Sequence, residues 1–155
     1  MSPMVITRAL SALANGGTLI TPHVTKEVDY LDGRKVVTPI VKGEQIISPA
    51  TSKEITRMLV TVVDRALLVG AVKQDNYSIA AKTGTAQIAN PQGGYYDDRW
   101  FHSFFGYFPA ENPRFLVFLY TNYPKGVDYA SHTLTQPFIN IVKFLINYYQ
   151  IPPDR

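Results

Sequence analysis

Three strand-like runs, separated by turn segments, constrain the fold of this chain most strongly, and the last two are dense in aromatic and β-branched residues. They begin at Tyr77, His102 and Phe115, and the last two are joined by turn residues at 109–114. Such side chains fit the pleated, half-buried surface of a sheet. Short connections between consecutive strands favour antiparallel pairing. The sequence therefore predicts an antiparallel meander from Ser78 to Tyr123.

The connection between the first two runs is longer and rich in chain-breaking residues. It contains Asn90-Pro91 and Gly93-Gly94, both of which favour turns. We predict a loop over residues 90–98, directly after the first strand, as a candidate rim of a cleft. The aromatic cluster at 95–100 could contact a ligand, although aromatics beside a turn more often cover the core.

Helices are predicted before and after the meander. The first has Ser2 as its N-cap and Pro3 at its first position, and Gly16-Gly17 ends it. The second begins at Ser48-Pro49 and carries apolar residues at three-and-four spacing as far as Leu67. In the last helix, an apolar face runs over residues 138–149 and should cover one face of the sheet.

A β-hairpin is predicted between the first two helices. Asp32-Gly33 favours a tight hairpin turn, and it separates residues 27–31 from residues 35–38. This arm is polar on one side, so we expect it to lie on the surface.

The tetrapeptide Lys82-Thr83-Gly84-Thr85 has groups that suit an anionic, extended ligand. Side chains alternate along a strand, so the hydroxyls of Thr83 and Thr85 lie on one face. Lys82 has the opposite parity, but its long stem can curl round towards the same cleft. Gly84 leaves the backbone bare, so a ligand strand could pair there. The alternative is a polar strand start without a ligand, because a short motif stays a hypothesis until its context supports it.

Composition excludes several other functions. The 155-residue chain is 46% hydrophobic, which is typical of one globular domain with a core. Its net charge of +3 comes from scattered basic residues, so nucleic-acid binding is not predicted. It has no cysteine, and His23, His102 and His132 lack ligand spacing, so neither a metal site nor a cofactor is predicted. We expect His102 to be a strand residue with a local hydrogen bond rather than a base.

Several motifs follow one another in a characteristic order. They are Ala14-Asn15-Gly16-Gly17, Thr21-Pro22, a helix, Lys82-Thr83-Gly84-Thr85-Ala86-Gln87, the run from Ser103 to Ala110, and Asn112-Pro113. This order resembles the C-terminal part of a penicillin-binding protein transpeptidase domain, most closely that of the monofunctional class B group. The resemblance covers essentially the whole chain, so residues 1–155 are interpreted as the C-terminal part of one such domain.

The resemblance implies a fold, an activity and a set of site residues. The fold is mixed α/β (α+β), an antiparallel sheet covered by helices, with three of the family's five strands present. The activity is acyl transfer through a serine ester, which cross-links peptidoglycan stem peptides. Lys82 would supply positive potential, and the hydroxyls of Thr83 and Thr85 would hold the carboxylate of a stem peptide or a β-lactam beside Gly84. The backbone N–H of Thr85 would be one of two oxyanion-hole donors.

The family's nucleophile motif, Ser-x-x-Lys, is absent from this sequence. No serine here is followed by lysine three residues later: Ser2, Ser11, Ser48, Ser52, Ser78, Ser103 and Ser131. Tyr120-Thr121-Asn122 imitates a variant of the family's Ser-x-Asn motif, but it follows the Lys-Thr-Gly strand, so we interpret it as coincidence. The simplest interpretation is a fragment that supplies one active-site wall and is inactive alone.

Two alternatives remain open. One is a non-catalytic β-lactam-binding or sensing module, or a structural partner that completes a split domain in trans. The other is a serine β-lactamase, which fits less well because residues 14–17 and the Asp32-Gly33 arm match the synthetic enzymes better.

The resemblance also implies how the chain associates and where it works. The family's two earliest strands pair with its last one, so strand 115–123 would here be an unpaired apolar edge. Such an edge favours association. We therefore expect the isolated chain to be oligomeric, strand-swapped or dependent on its missing part. The implied location is the extracytoplasmic face of a bacterial inner membrane, with the anchor outside this chain.

Overall fold

The computed structural model describes residues 2–155, in which three α-helices accompany seven strands arranged in three antiparallel sheets. This confirms the predicted mixed class. The chain divides into two compact units, one ending at Glu54 and the other comprising Ile55–Arg155.

Helix α1 (Pro3–Ala14) begins and ends where the sequence predicts. The Ser2 hydroxyl accepts a hydrogen bond from the Val5 N–H at 3.4 Å, which satisfies one of the helix's free N-terminal donors. At the other end Gly16 has φ +79°, and the Gly17 N–H donates to Ala12 O at 2.8 Å. The two glycines therefore end the helix as expected.

Four short strands follow in the same unit: β1 (Thr18–Ile20), β2 (Glu27–Asp29), β3 (Lys35–Val37) and β4 (Lys42–Gln45). Strands β2 and β3 form the predicted surface hairpin, and all their residues are exposed. At its turn, the Arg34 backbone N–H and guanidinium both hold the pKa of Asp32 below its ordinary value.

Strand β4 is not predicted by the sequence, because Lys42-Gly43-Glu44-Gln45 has no β-branched or aromatic residue. Its partner is β1, with Thr18 opposite Gln45. The Gln45 side-chain amide also donates to Gly16 O at 2.7 Å. Backbone pairing and this side-chain hydrogen bond therefore hold residues 42–45 as a strand, although their composition alone suggests a loop.

Helix α2 (Pro49–Thr61) begins at the predicted proline but ends earlier than its apolar stripe. A π-helical turn occupies Val62–Ala66, and the chain then reverses through Leu68 and Val69, with φ +47° and +59°. The prediction of helix as far as Leu67 is therefore wrong beyond Thr61. Apolar periodicity does not distinguish an α-helical turn from the wider π turn, and Leu67 is buried in either case.

The second unit is built on the predicted meander. Strands β5 (Ala80–Ala89), β6 (Tyr95–Phe108) and β7 (Phe115–Asn122) form one antiparallel sheet in that order. Within residues 2–155, β6 is the sole partner of β7, so the expected apolar edge strand is present.

The predicted loop over residues 90–98 is only partly correct. The chain reverses within five residues, because the Asn90 N–H donates to Gly94 O at 3.0 Å and both Gly93 and Gly94 have positive φ. Pairing resumes at Tyr95, which lies opposite Ala89. The turn residues are as predicted, but the polar and aromatic residues that follow them extend β6.

Helix α3 (Ala130–Tyr148) covers one face of this sheet, as predicted, although it begins well before the predicted apolar face. The ring of Phe138 stacks on that of Phe104, with 4.4 Å between centroids. At the far end, the Tyr149 ring lies 4.9 Å from that of Phe115, and both Tyr148 and Tyr149 are exposed. On the opposite face, the Tyr107 hydroxyl lies 2.7 Å from Thr56 Oγ1, and burial raises the pKa of this tyrosine.

The C-terminal residues fasten the segment that leads into β5. The Asp154 carboxylate accepts a hydrogen bond from the Ser78 N–H at 2.7 Å, two residues before β5 begins. Arg155 pairs with Asp64, with 2.8 Å between Nη2 and Oδ1, and this contact raises the pKa of the guanidinium. The start of β5 is therefore tied at its entrance as well as along β6.

Replacing Gly106 should test the close approach of α3 to the sheet. A Cβ there would lie 2.6 Å from Phe138 Cζ and 2.9 Å from Ala80 O. We expect Gly106→Ala to lower the free energy of unfolding by about 1–3 kcal/mol through overpacking, measured by urea denaturation. Gly43→Ala is the control, because its Cβ would come no closer than 3.4 Å to Leu19. Equal stability of the two variants would contradict this packing.

Candidate active site

The register between β5 and β6 places the motif's threonines on the α3 face of the sheet. Thr83 lies opposite Phe104, and Thr85 lies opposite His102. Paired residues in an antiparallel sheet direct their side chains to the same face. Phe104 stacks on Phe138 of α3, so both threonines share that face. The predicted common orientation of the two hydroxyls follows from this register.

The Thr85 hydroxyl already has one partner in the structure. Its Oγ1 accepts a hydrogen bond from the Ala130 N–H at 3.0 Å, at the first residue of α3. A hydroxyl has one proton to donate as well as its acceptor lone pairs. Thr85 is exposed, so that proton is available to a ligand while α3 holds the oxygen.

The backbone of Thr83 and Thr85 faces the open edge of β5. Two even-numbered carbonyls face β6: Ala80 O lies 2.9 Å from the position of a Gly106 Cβ, and Gly84 O lies 3.4 Å from Ser103 Oγ. Backbone groups of successive residues point to opposite edges of a strand. The N–H and C=O groups of Thr83 and Thr85 therefore point away from β6, towards an edge that no strand within residues 2–155 pairs.

The charge of Lys82 reaches this same edge. Its side chain is exposed, and Nζ donates a hydrogen bond to Thr83 O at 2.9 Å. The lysine thus starts from the opposite face and curls along its own strand, as its flexible stem allows. A positive charge, an outward N–H and a hydroxyl proton consequently lie within one short stretch of β5.

Gly84 leaves room for Ser103 rather than open space. A Cβ at Gly84 would lie 2.6 Å from Ser103 Oγ, and the hydroxyl of this serine donates to Gly84 O at 3.4 Å. From the sequence alone, Gly84 is expected only to leave its backbone bare. The register of β5 with β6 shows that Ser103 is the residue opposite it.

His102 is a fully buried strand residue with local hydrogen bonds, as expected. Its Nδ1 lies 2.9 Å from Thr133 Oγ1, and its Nε2 lies 3.2 Å from Asp128 O. Both partners flank the start of α3. The sequence does not connect this histidine with the motif, because the pairing of Thr85 with His102 spans seventeen positions of the chain.

The aromatic cluster at 95–100 forms the first part of β6 and not a free loop. The Arg99 guanidinium lies 3.9 Å from the Tyr96 ring centroid and 5.4 Å from that of Tyr123. Tyr95 is exposed. Contact with a ligand through this cluster stays a prediction.

The Tyr120-Thr121-Asn122 sequence lies within β7, as predicted, and Thr121 pairs with His102. Within residues 2–155, no three His, Asp or Glu side chains are placed to hold a metal ion. Among the helices that the structure describes, none has both the length and the apolar character needed to span a membrane.

A cavity of about 510 Å³ lies in the first unit and contains none of the predicted site residues. Its lining is mostly apolar and consists of His23, Val24, Lys26, Val37, Thr38, Pro39 and Ile40.

Comparison with known proteins decides the family. The sequence profile described as "Penicillin binding protein transpeptidase domain" matches residues 1–143. This chain belongs to the penicillin-binding protein transpeptidase family. The resemblance inferred from the motif order is thereby confirmed.

Relatives and solved structures agree with this assignment. Stage V sporulation protein D of Bacillus subtilis is 35% identical over 147 residues, covering 92% of this chain and 22% of the relative. The penicillin-binding protein PbpB of Mycobacterium tuberculosis is 30% identical over 165 residues, and the alignment covers 99% of this chain and 24% of that relative. The crystal structure of penicillin-binding protein 3 from Mycobacterium tuberculosis matches with a TM-score of 0.83 at 28% identity, covering 100% of this chain and 37% of that one. This transpeptidase-family chain thus spans about a quarter of the length of the first two relatives.

The contact between Gly84 and Ser103 can be tested by paired substitutions. We expect Gly84→Ala to lower the free energy of unfolding by about 0.5–1.5 kcal/mol, because Ser103 must leave its present rotamer to make room for the new Cβ. Adding Ser103→Ala should restore most of that loss, whereas Ser103→Ala alone should change stability by less than about 1 kcal/mol. Urea denaturation of the three variants measures this. Additive effects of the two substitutions would show that steric overlap with Ser103 is not the cause of the loss.

Proposed function

We propose that this chain forms the Lys-Thr-Gly wall of a D,D-transpeptidase active site in peptidoglycan synthesis. The observation that carries the proposal is the open edge of β5, where the Thr85 N–H points outwards beside the charge of Lys82. An extended peptide can add to such an edge as a further strand. A stem peptide is an extended ligand of this kind.

Each motif residue has a distinct role in this proposal. Lys82 supplies positive potential for an anionic acyl donor, with Nζ able to leave Thr83 O when a ligand arrives. The hydroxyls of Thr83 and Thr85 bind the donor's carboxylate, and Gly84 between them leaves room for Ser103 on the other face of the strand. The Thr85 N–H donates to the carbonyl oxygen of the bond under attack, where negative charge develops.

The reaction is acyl transfer in two steps. A serine hydroxyl attacks the donor's carbonyl carbon while a base takes the hydroxyl proton, and the base then gives that proton to the departing nitrogen, so that the terminal residue of the stem peptide leaves as an amine. An amine of a second stem peptide then attacks the resulting ester and releases the serine. The attacking serine must come from outside this sequence, because no Ser-x-x-Lys occurs within it.

The named relatives support both the activity and β-lactam binding. Probable peptidoglycan D,D-transpeptidase PenA of Neisseria flavescens matches across 100% of this chain, at 28% identity. Penicillin-binding protein 3 of Mycobacterium tuberculosis, 28% identical, was solved with ampicillin and with aztreonam. A β-lactam presents a carboxylate beside a reactive carbonyl, and the groups on β5 suit both features.

The wider setting follows the same reasoning. We interpret residues 1–155 as the C-terminal part of one transpeptidase domain that works at the extracytoplasmic face of a bacterial inner membrane. A non-catalytic β-lactam-binding module, or a partner that completes a split domain in trans, is the second candidate. The absence of Ser-x-x-Lys from this sequence favours that candidate only if the upstream reading frame lacks the motif too.

Fluorescent penicillin tests the proposed division of roles. We expect no covalent labelling of the 155-residue chain alone and labelling of the full-length protein at an upstream serine, with gel fluorescence and peptide mapping as the measurement. In the full-length protein, Lys82→Met should slow labelling by about 10–100-fold, because the charge at the strand edge is lost. Lys73→Met is the matched control, since Lys73 pairs with Asp75 elsewhere on the surface.

Three results would count against parts of the proposal. An adduct on any residue of this chain would show that the nucleophile lies within it. Full-length protein that carries Ser-x-x-Lys but stays unlabelled would remove the enzyme assignment. Equal labelling of the two lysine variants would remove the role given to Lys82.

Sedimentation tests the proposed self-association. Strand β7 exposes an unpaired edge that carries Phe115, Phe118 and Tyr120, and such edges attract further strands. We expect the isolated chain to sediment as oligomers at micromolar concentration. Phe118→Lys, which places a charge on the edge strand, should shift it towards monomer. A well-folded monomer without this substitution would contradict the expectation.

A further inference from the structure

We propose that His102 is a positioning residue for Thr85, acting through the first turn of α3. The two imidazole nitrogens contact Thr133 and Asp128 at this turn. The Ala130 N–H of the same turn donates a hydrogen bond to the Thr85 hydroxyl oxygen. The inference rests on the proposed function in one respect: it assigns the Thr85 hydroxyl to ligand binding.

The positions of the three elements bring these groups together. His102 and Thr85 are direct partners across β5 and β6, so their side chains lie on the same face. The imidazole is fully buried, and both of its nitrogens are directed to the entry of α3. Ala130, whose N–H donates to Thr85 Oγ1, lies in the sequence between Asp128 and Thr133, the two residues that His102 contacts.

The hydrogen-bond partners define the histidine's tautomer. Asp128 O is a backbone carbonyl and can only accept, so Nε2 carries the proton and donates to it at 3.2 Å. In the neutral ring Nδ1 is then an acceptor. The Thr133 hydroxyl lies 2.9 Å from this nitrogen and 3.2 Å from Ala130 O, and its single proton can be donated to either of them.

This arrangement has a consequence for the motif strand. The first N–H groups of a helix have no partner within the helix. Here His102 holds Asp128 and Thr133 on either side of Ala130, so the Ala130 N–H is directed at Thr85 Oγ1, 3.0 Å away. The oxygen is fixed through one lone pair, and the hydroxyl proton remains for a ligand at the strand edge.

A purely space-filling role would make different demands on this position. Packing requires a side chain of similar volume, which phenylalanine provides. It does not require two nitrogens with partners on opposite sides of the same helical turn. His102→Phe therefore separates the two roles, and His102→Gln retains a donor for Asp128 O.

The test is a double-mutant cycle in the full-length protein, with the second-order rate constant of penicillin acylation as the readout. We expect His102→Phe to slow acylation about tenfold, because misplaced binding groups cost rate. In a Thr85→Val background, which lacks the hydroxyl, the same substitution should have less than about a twofold effect. His102→Gln should recover part of the loss. Val142→Ala, a buried change further along α3, should act equally in both backgrounds.

A second measurement does not depend on acylation. Long-range ¹H–¹⁵N NMR correlations should show the Nε2–H tautomer of His102, and the Hα–Hβ coupling of Thr85 should report one rotamer that becomes averaged in His102→Phe. These results would support the inference even if the unsubstituted protein failed to react with penicillin, which would overturn the proposed function alone. An Nδ1–H tautomer, an unchanged Thr85 rotamer, or equal acylation losses in both backgrounds would overturn the positioning role. If His102→Phe does not fold, the tautomer and the His102→Gln variant decide.

Discussion

Antiparallel pairing of β5 with β6 is the constraint on which the rest of the site depends. One register decides two things for every residue of β5: the face that its side chain occupies and the edge that its backbone groups face. It directs Thr83 and Thr85 to the α3 face and their N–H groups to the open edge. A shift of one residue would exchange both properties, so the motif has its chemical meaning only in this register.

Packing of α3 then determines how firmly that strand is held. Gly106 allows Phe138 of α3 to approach the sheet closely. The first turn of α3 contacts Thr85, and the C-terminal residues hold Ser78 at the entrance of β5. Strand β5 is therefore held by α3 on one face and by the C-terminal residues at its start, while one of its edges remains open.

The three-stranded sheet has two open edges, and the chain is short beside its relatives. Both outer strands of the three-stranded sheet, β5 and β7, lack a second partner within residues 2–155. The chain also spans only 22% and 24% of two curated relatives that it matches. On β5 an open edge suits an incoming ligand, whereas β7, with half-buried Phe115 and Phe118 and exposed Tyr120, suits a further strand. An open strand edge thus supports ligand binding at β5 and self-association at β7, and the two proposals differ because the side chains of the two strands differ.

The sequence by itself determined the family, the meander, the helix caps and the motif, because these depend on local residue types and their order. It did not reveal β4, because the partner of that strand is β1, where Thr18 lies 27 positions from its partner Gln45. It also did not reveal the π turn at Val62–Ala66 or the extension of β6 to Tyr95, because apolar spacing does not distinguish π from α turns and polar residues next to a turn resemble a loop. Only the tertiary structure brought His102 and Ala130 to Thr85. The physical reason is that strand register and helix packing, which join residues 17 and 45 positions away, leave no periodic signal in the sequence.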